Sequence, residues 1–158
     1  MEDDKFIPDV PLHEEDVQLL VRDAFAAAAA SYSPYSEYRV GAALLTGSGK
    51  VFTGCNVENA SYPVGICAER TAAAKAVSEG ETVFEAIAIV GYLASEGPEA
   101  GEEAYPCGFC RQFLNEFASA EMMVYVAQSE DKIEALTLAE LLPYDFGPAK
   151  LLRGENDG

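Results

Sequence analysis

Val17, Leu20, Val21, Ala24, Phe25 and Ala28 fall at the three-and-four spacing of one helical face, so the chain opens with an amphipathic helix that ends before Pro34. The period then changes. Tyr35 to Leu45 alternates in the manner of a strand, Thr46-Gly47-Ser48-Gly49-Lys50 supplies a turn, and Val51 to Glu58 returns as the second arm of a hairpin. Cys67 to Val77 is rich in helix formers and stops at Gly80. Phe84 to Val90 is apolar without a break, the mark of a strand buried on both faces. Cys107 to Phe117 sets Cys110, Phe113, Leu114 and Phe117 at helical spacing. Strands follow at Met122 to Val126 and Ile133 to Leu136, and Thr137 with Glu140 makes a capping box for a short last helix. Strands alternating with helices predict an α/β fold in which a mixed sheet is sandwiched by helices.

At 158 residues the chain is long enough for one domain, taken as 1–158, that buries roughly two-thirds of its unfolded surface. Met1 to Val10 and Gly154 to Gly158 read as mobile tails. There is no internal repeat, no apolar stretch of signal-peptide type and none of transmembrane length, so the expectation is a cytoplasmic protein with reduced cysteines and no membrane partner. Charge narrows the partners further. With 27 acidic against 10 basic residues the formal net charge is −17, which repels polyanions and excludes nucleic acid as a partner. Acidic residues are not confined to the ends, since Glu96-Gly97-Pro98-Glu99-Ala100-Gly101-Glu102-Glu103 forms an internal acidic loop. Such an excess suits work in concentrated salt; an acidic protein of an ordinary cytoplasm is the alternative.

The chemistry is concentrated in Cys67-Ala68-Glu69-Arg70 and Pro106-Cys107-Gly108-Phe109-Cys110-Arg111-Gln112. Cys67, Cys107 and Cys110 offer three thiolates without a fourth ligand, which is the donor set of an open, catalytic zinc site. Both segments open helices, where unpaired backbone N–H groups stabilise thiolate. Glu69 stands two residues after the first thiol and is placed to handle the protons of a water. Three thiolates on Zn²⁺ leave a net charge of −1, so a guanidinium must offset it. Arg70 is the nearer candidate and Arg111 the other.

Cys-Ala-Glu followed by Pro-Cys-Gly-x-Cys-Arg-Gln resembles the small, homotetrameric cytidine deaminases of pyrimidine salvage, and the likeness extends from about Tyr35 to Phe146. It implies a three-layer α/β/α sandwich with a mixed central sheet. It also implies one Zn²⁺ per subunit and hydrolysis of cytidine and 2′-deoxycytidine to the uridine products with release of ammonia, Glu69 carrying the proton from water to ring N3. Gly54-Cys55-Asn56-Val57-Glu58-Asn59-Ala60-Ser61-Tyr62 matches the family's ribose-binding segment, so Asn56 and Glu58 are expected on the 3′-hydroxyl. Tyr38 falls where the family usually stacks a phenylalanine on the pyrimidine. Ala68, at the start of its helix, is carried as a further substrate contact. Tyr62 and Phe146 match aromatics that line neighbouring subunits' pockets, which implies a homotetramer. Phe109 departs from the small residue that relatives often carry inside the Cys-x-x-Cys.

Competing readings stay open on these residues. Cys55 is read as a buried structural thiol, yet as a fourth ligand it would close the zinc site and make the protein non-enzymatic. A thiol-redox role for Cys107 and Cys110 leaves Cys67 and Glu69 unexplained. Deamination of a modified nucleoside, such as an antibiotic, fits the same motifs. His13, the only histidine, sits in an acidic stretch and is assigned no chemistry.

Overall fold

The computed structural model describes residues 12–152, so the stretches read as tails lie outside the described residues. The chain runs through α1 (Glu14–Ala28), β1 (Tyr38–Thr46), β2 (Val51–Cys55), α2 (Ala68–Ser78), β3 (Phe84–Leu93), α3 (Gly108–Asn115), β4 (Ala118–Ala127), β5 (Ile133–Thr137) and α4 (Leu138–Leu141). Five strands form one sheet in the order β2-β1-β3-β4-β5. Only β3 and β4 are parallel; the other neighbours are antiparallel, which makes the sheet mixed as predicted.

Alternation along β3 sorts the two faces. Ala86, Ala88 and Val90 point to one side, where Val17, Leu20, Val21, Ala24 and Ala28 of α1 cover them together with Ala43 of β1. Ile87 and Ile89 point to the other side and meet Leu44, Phe52, Leu114, Val124 and Val126. There the alanine stripe of α2, Ala68, Ala72, Ala73 and Ala76, completes the layer. Helices on both faces of a mixed sheet give the three-layer arrangement, and they account for the unbroken apolar run read in β3.

Small residues decide how close the helices come. A Cβ added to Gly41 would lie 1.9 Å from the Ala24 carbonyl oxygen and 2.7 Å from the Ala28 nitrogen, so α1 rests directly on the β1 backbone. A Cβ on Gly54 would lie 2.5 Å from the Ala72 nitrogen and 2.6 Å from the Ala68 oxygen, which seats α2 on β2 in the same way.

Strand ends differ from the sequence reading: β3 runs on to Leu93, β4 begins at Ala118, and the hairpin is shorter than expected. The strand expected from Tyr35 begins at Tyr38, because Ser33 to Glu37 closes as a turn: the Glu37 N–H donates to the Ser33 carbonyl at 2.9 Å and Glu37 takes the left-handed φ of 56°. The second arm ends at Cys55, beyond which Asn56 bonds to Val40 and Tyr32 through its backbone. The acidic loop is engaged with the sheet, since the Glu102 N–H donates to the Gly91 carbonyl at 2.8 Å and ties the loop to β3. The capping box is present, with Thr137 and Glu140 bonding reciprocally at the start of α4.

Gly41→Ala tests the seat of α1. The added methyl has no flexible neighbour to displace, so the substitution is expected to cost about 3 kcal/mol or more. Urea denaturation measures it, and a change within about 0.5 kcal/mol would show that α1 does not rest there.

Candidate active site

Two helix starts build the centre of the site. Cys67 immediately precedes α2 with an extended backbone, φ −76° and ψ 155°, and Cys107 precedes α3 with φ −68° and ψ 168°. Neither side chain caps its own helix, so both sulfurs are free to face each other. The two Sγ atoms lie 3.6 Å apart, and Cys110, inside the first turn of α3, brings its sulfur to 3.4 Å from that of Cys107. All three sulfurs lie within 4.8 Å of one another. On a tetrahedron with Zn–S near 2.3 Å, ligands stand about 3.8 Å apart, so the three sulfurs fit one zinc ion with little movement.

Charge in the cluster is already biased toward ligation. Cys67 is brought down to about 5, first by the hydrogen bond from Cys110 and then by Cys107 and Arg70. Cys110 is pushed up, first by the neighbouring Cys67 and then by its burial.

Glu69, one residue into α2 from Ala68, is only 3% exposed. Burial raises its carboxyl to about 7, and the Cys67 charge acts in the same direction. A carboxyl held near neutrality beside a metal site is matched to taking up and returning a proton.

Arg70, not Arg111, faces the sulfurs. Its Nη2 lies 4.0 Å from Cys67 Sγ, and its guanidinium sits 5.6 Å from the centroid of the Phe109 ring. Its Nε is buried with no hydrogen-bond partner among the described residues. Arg111 is a brace instead, donating to the Pro106 carbonyl at 2.8 Å and to the Leu141 carbonyl at 2.7 Å, which ties α3 to α4. Phe109 does not crowd the sulfur loop; it projects outward over Arg70, 79% exposed.

Above the sulfurs opens a cleft of about 830 Å³, and Tyr38, Asn56, Glu58, Tyr62 and Ala68 line it together with Cys67, Glu69, Arg70 and Cys107. The Asn56 amide is mostly committed: Oδ1 accepts from the Val40 N–H at 2.9 Å and from the Ser31 hydroxyl, while Nδ2 donates to the Tyr38 carbonyl at 2.9 Å. One amide hydrogen remains. Glu58 accepts from the Ser36 hydroxyl and from the backbone of Tyr35 and Ser36 at 3.0 and 3.1 Å. Those contacts, the hydroxyl foremost, hold its carboxyl below the usual range. Phe146 is not part of this lining. Its side chain is exposed, and its carbonyl accepts from Gln112 at 2.7 Å and Asn115 at 3.3 Å.

Sequence reasoning missed the wall made by Glu103, Ala104 and Tyr105, because the charge of their loop reads as solvation. Glu103 accepts from Gln128 at 2.9 Å, and Tyr105 donates to Glu134, which pushes its phenol up to about 12. Cys55, predicted to be buried, is half-buried at the end of β2 because that strand stops at the sheet edge; it is outside the sulfur cluster.

The family model for the cytidine and deoxycytidylate deaminase zinc-binding region matches residues 14–127, a span that holds all three clustered sulfurs and Glu69. The chain belongs to this family. It is 43% identical over 136 residues to a cytidine deaminase of Sporosarcina psychrophila, covering 86% of this chain and 95% of that protein. A cytidine deaminase of Halalkalibacterium halodurans is 44% identical over 131 residues, covering 83% and 94%. Among solved structures, the cytidine deaminase from Burkholderia pseudomallei superposes with a TM-score of 0.72 at 41% identity, covering 81% of this chain and 97% of that one. The Mycobacterium tuberculosis cytidine deaminase gives 0.70 at 37%, covering 84% and 98%.

In this deaminase-family site the two arginines separate experimentally. Arg70→Ala is expected to weaken zinc binding by about 10–100-fold, as loss of a residue supporting a ligand does. Arg111→Ala is expected to leave zinc affinity unchanged and lower the thermal midpoint. Competition with a chromophoric chelator measures the first and thermal unfolding the second; equal loss of zinc affinity in both variants would contradict the assignment.

Proposed function

We propose that this chain catalyses hydrolytic deamination of cytidine and 2′-deoxycytidine to uridine and 2′-deoxyuridine, with release of ammonia, as a step of pyrimidine salvage in the cytoplasm. The observation that carries the reading is Glu69: a buried carboxyl, raised to about 7, that lines a cleft beside three clustered sulfurs, of which Cys67 and Cys107 also line it. Zinc held by Cys67, Cys107 and Cys110 supplies the Lewis acidity that makes water a nucleophile near neutral pH. Glu69 accepts one proton of the attacking water and delivers it to ring N3 as C4 is attacked; it then takes the remaining proton from the C4 hydroxyl and passes it to the amine as the C4–N bond breaks and the carbonyl forms. Burial keeps the Glu69 carboxyl close to the pKa at which it both takes and gives a proton.

Asn56 and Glu58 share one wall of the cleft, and the amide hydrogen that Asn56 has left and the Glu58 carboxylate suit the sugar 3′-hydroxyl. Tyr38 offers a flat face to the pyrimidine, and the backbone N–H of Ala68 lies at a positive helix end suited to the substrate's polar edge. Charge supports a nucleoside over a nucleotide. Glu58, Glu69 and Glu103 line the cleft, and its one guanidinium, on Arg70, is turned to Cys67 and Phe109. Among the described residues that line the cleft, no other guanidinium or ammonium is present to pair with a phosphate.

The same reading includes a homotetramer. Tyr62, Phe146 and Tyr144 are 74%, 57% and 106% exposed, and aromatics held in water support burial against further copies of the chain. The charge of −17 supports function in concentrated salt, where mutual repulsion is screened.

Two experiments bear on this. Glu69→Gln keeps shape and hydrogen bonding but carries no proton, so kcat on cytidine should fall by about 10²–10⁴-fold with zinc retained, whereas Cys67→Ala should lose metal and activity together. Near-normal turnover by zinc-loaded Glu69→Gln overturns the mechanism. Phe146→Ala should raise KM with zinc retained if this side chain completes a neighbour's cleft. Light scattering checks the assembly, and a fully active monomer would sink that part of the reading.

A further inference from the structure

Gly91 of β3 marks a close approach that the proton chemistry does not require. A Cβ there would lie 2.6 Å from the Tyr38 Oη, 2.8 Å from Tyr38 Cε1 and 2.8 Å from the Ala104 Cβ. Tyr38 pairs with Leu93 in the register of β1 on β3, so its ring reaches diagonally two residues back and lies across a bare Cα. Glu102 begins from the same point, because its N–H donates to the Gly91 carbonyl at 2.8 Å. Gly91 and Glu102 pair as an antiparallel bridge, so the Glu102 side chain leaves the backbone on the same face as a Gly91 Cβ would, the face on which the Tyr38 Oη lies; the phenol's pKa is raised first by burial and then by the Glu102 charge. The next residues are fastened on the far side, Glu103 to Gln128 at 2.9 Å and Tyr105 to Glu134, so the segment carrying Glu102 is held at both ends.

We propose that Glu102 is a positioning residue for Tyr38: it accepts the phenol's hydrogen bond and, with Gly91 leaving room beneath the ring, fixes the Tyr38 face as a wall of the cleft. A ring held in one orientation before substrate arrives loses no rotamer freedom on binding, which strengthens binding without touching the chemical step. A phenylalanine at this position has no such anchor. The inference rests on the reading that Tyr38 meets the pyrimidine, and it assigns the acidic loop a part in substrate binding.

The test is steady-state kinetics on zinc-loaded protein with cytidine, paired with hydrogen exchange at the Glu102 amide. Tyr38→Phe and Glu102→Ala should each raise KM about twofold to tenfold, the worth of one hydrogen bond, with kcat little changed. Glu102→Gln still offers an acceptor and should restore KM toward that of the parent protein. The double variant Tyr38→Phe/Glu102→Ala should be no worse than either single one, because both lose the same contact. Exchange at the Glu102 amide should quicken in Tyr38→Phe. Unchanged KM in Glu102→Ala, additive losses in the double variant, or a fall in kcat at constant KM would overturn the proposal. If the parent protein fails to deaminate cytidine, the functional reading falls and exchange decides the pairing by itself: faster exchange in Tyr38→Phe upholds it and unchanged exchange overturns it.

Discussion

Everything in this site depends on two helix N-termini meeting at one point. Cys67 and Cys107 are both the extended residue before a helix, and a sulfur in that position lies near the positive end of the helix dipole without capping it. One such end stabilises one thiolate; two aimed at each other make a pocket for a cation held by several. The meeting is set by packing far from the sulfurs. The bare Cα of Gly54 and the alanine stripe of α2 let that helix lie flat on β2, and Leu114 anchors α3 in the same apolar layer. Ile87 and Ile89 of β3 are the floor on which both rest.

The cleft above follows a second economy: its polar side chains hold backbone as well as facing the opening. Asn56 sews the start of β1 to the end of β2 with hydrogen bonds of 2.9 Å to Val40 and from its amide to Tyr38. Glu58 gathers the N–H groups of Tyr35 and Ser36, a stretch where Glu37 takes a left-handed conformation. Groups so engaged keep few rotamers, and the cleft is preorganised by the same bonds that close the fold. Glu69 is the contrast. It lies in the apolar interior, and desolvation tunes its carboxyl.

Most of the layering was legible because each element writes its own period. The face of α1, the unbroken run of β3 and the Thr137–Glu140 box depend on residues close in sequence, and local patterns report them. The three sulfurs and Glu69 were legible for a chemical reason, since an incomplete donor set has few other uses. What escaped was decided by contacts between distant segments. Glu37 turns left-handed with no glycine or asparagine to announce it. Arg70 and Arg111 both follow a ligand closely, and only the docking of α4 through Leu141 shows which one is occupied elsewhere. The acidic loop shows no period of its own, and only the pairing of Glu102 with Gly91 brings Glu103, Ala104 and Tyr105 to the cleft.

The sulfurs are also graded by depth, and the gradient sets the traffic of the metal. Cys110 is wholly buried, Cys67 is half-covered and Cys107 is open to solvent. An arriving ion, a competing chelator or an oxidant therefore meets Cys107 before the other two, at the solvent end of the site. Cys110 sits behind it in the core with no approach of its own.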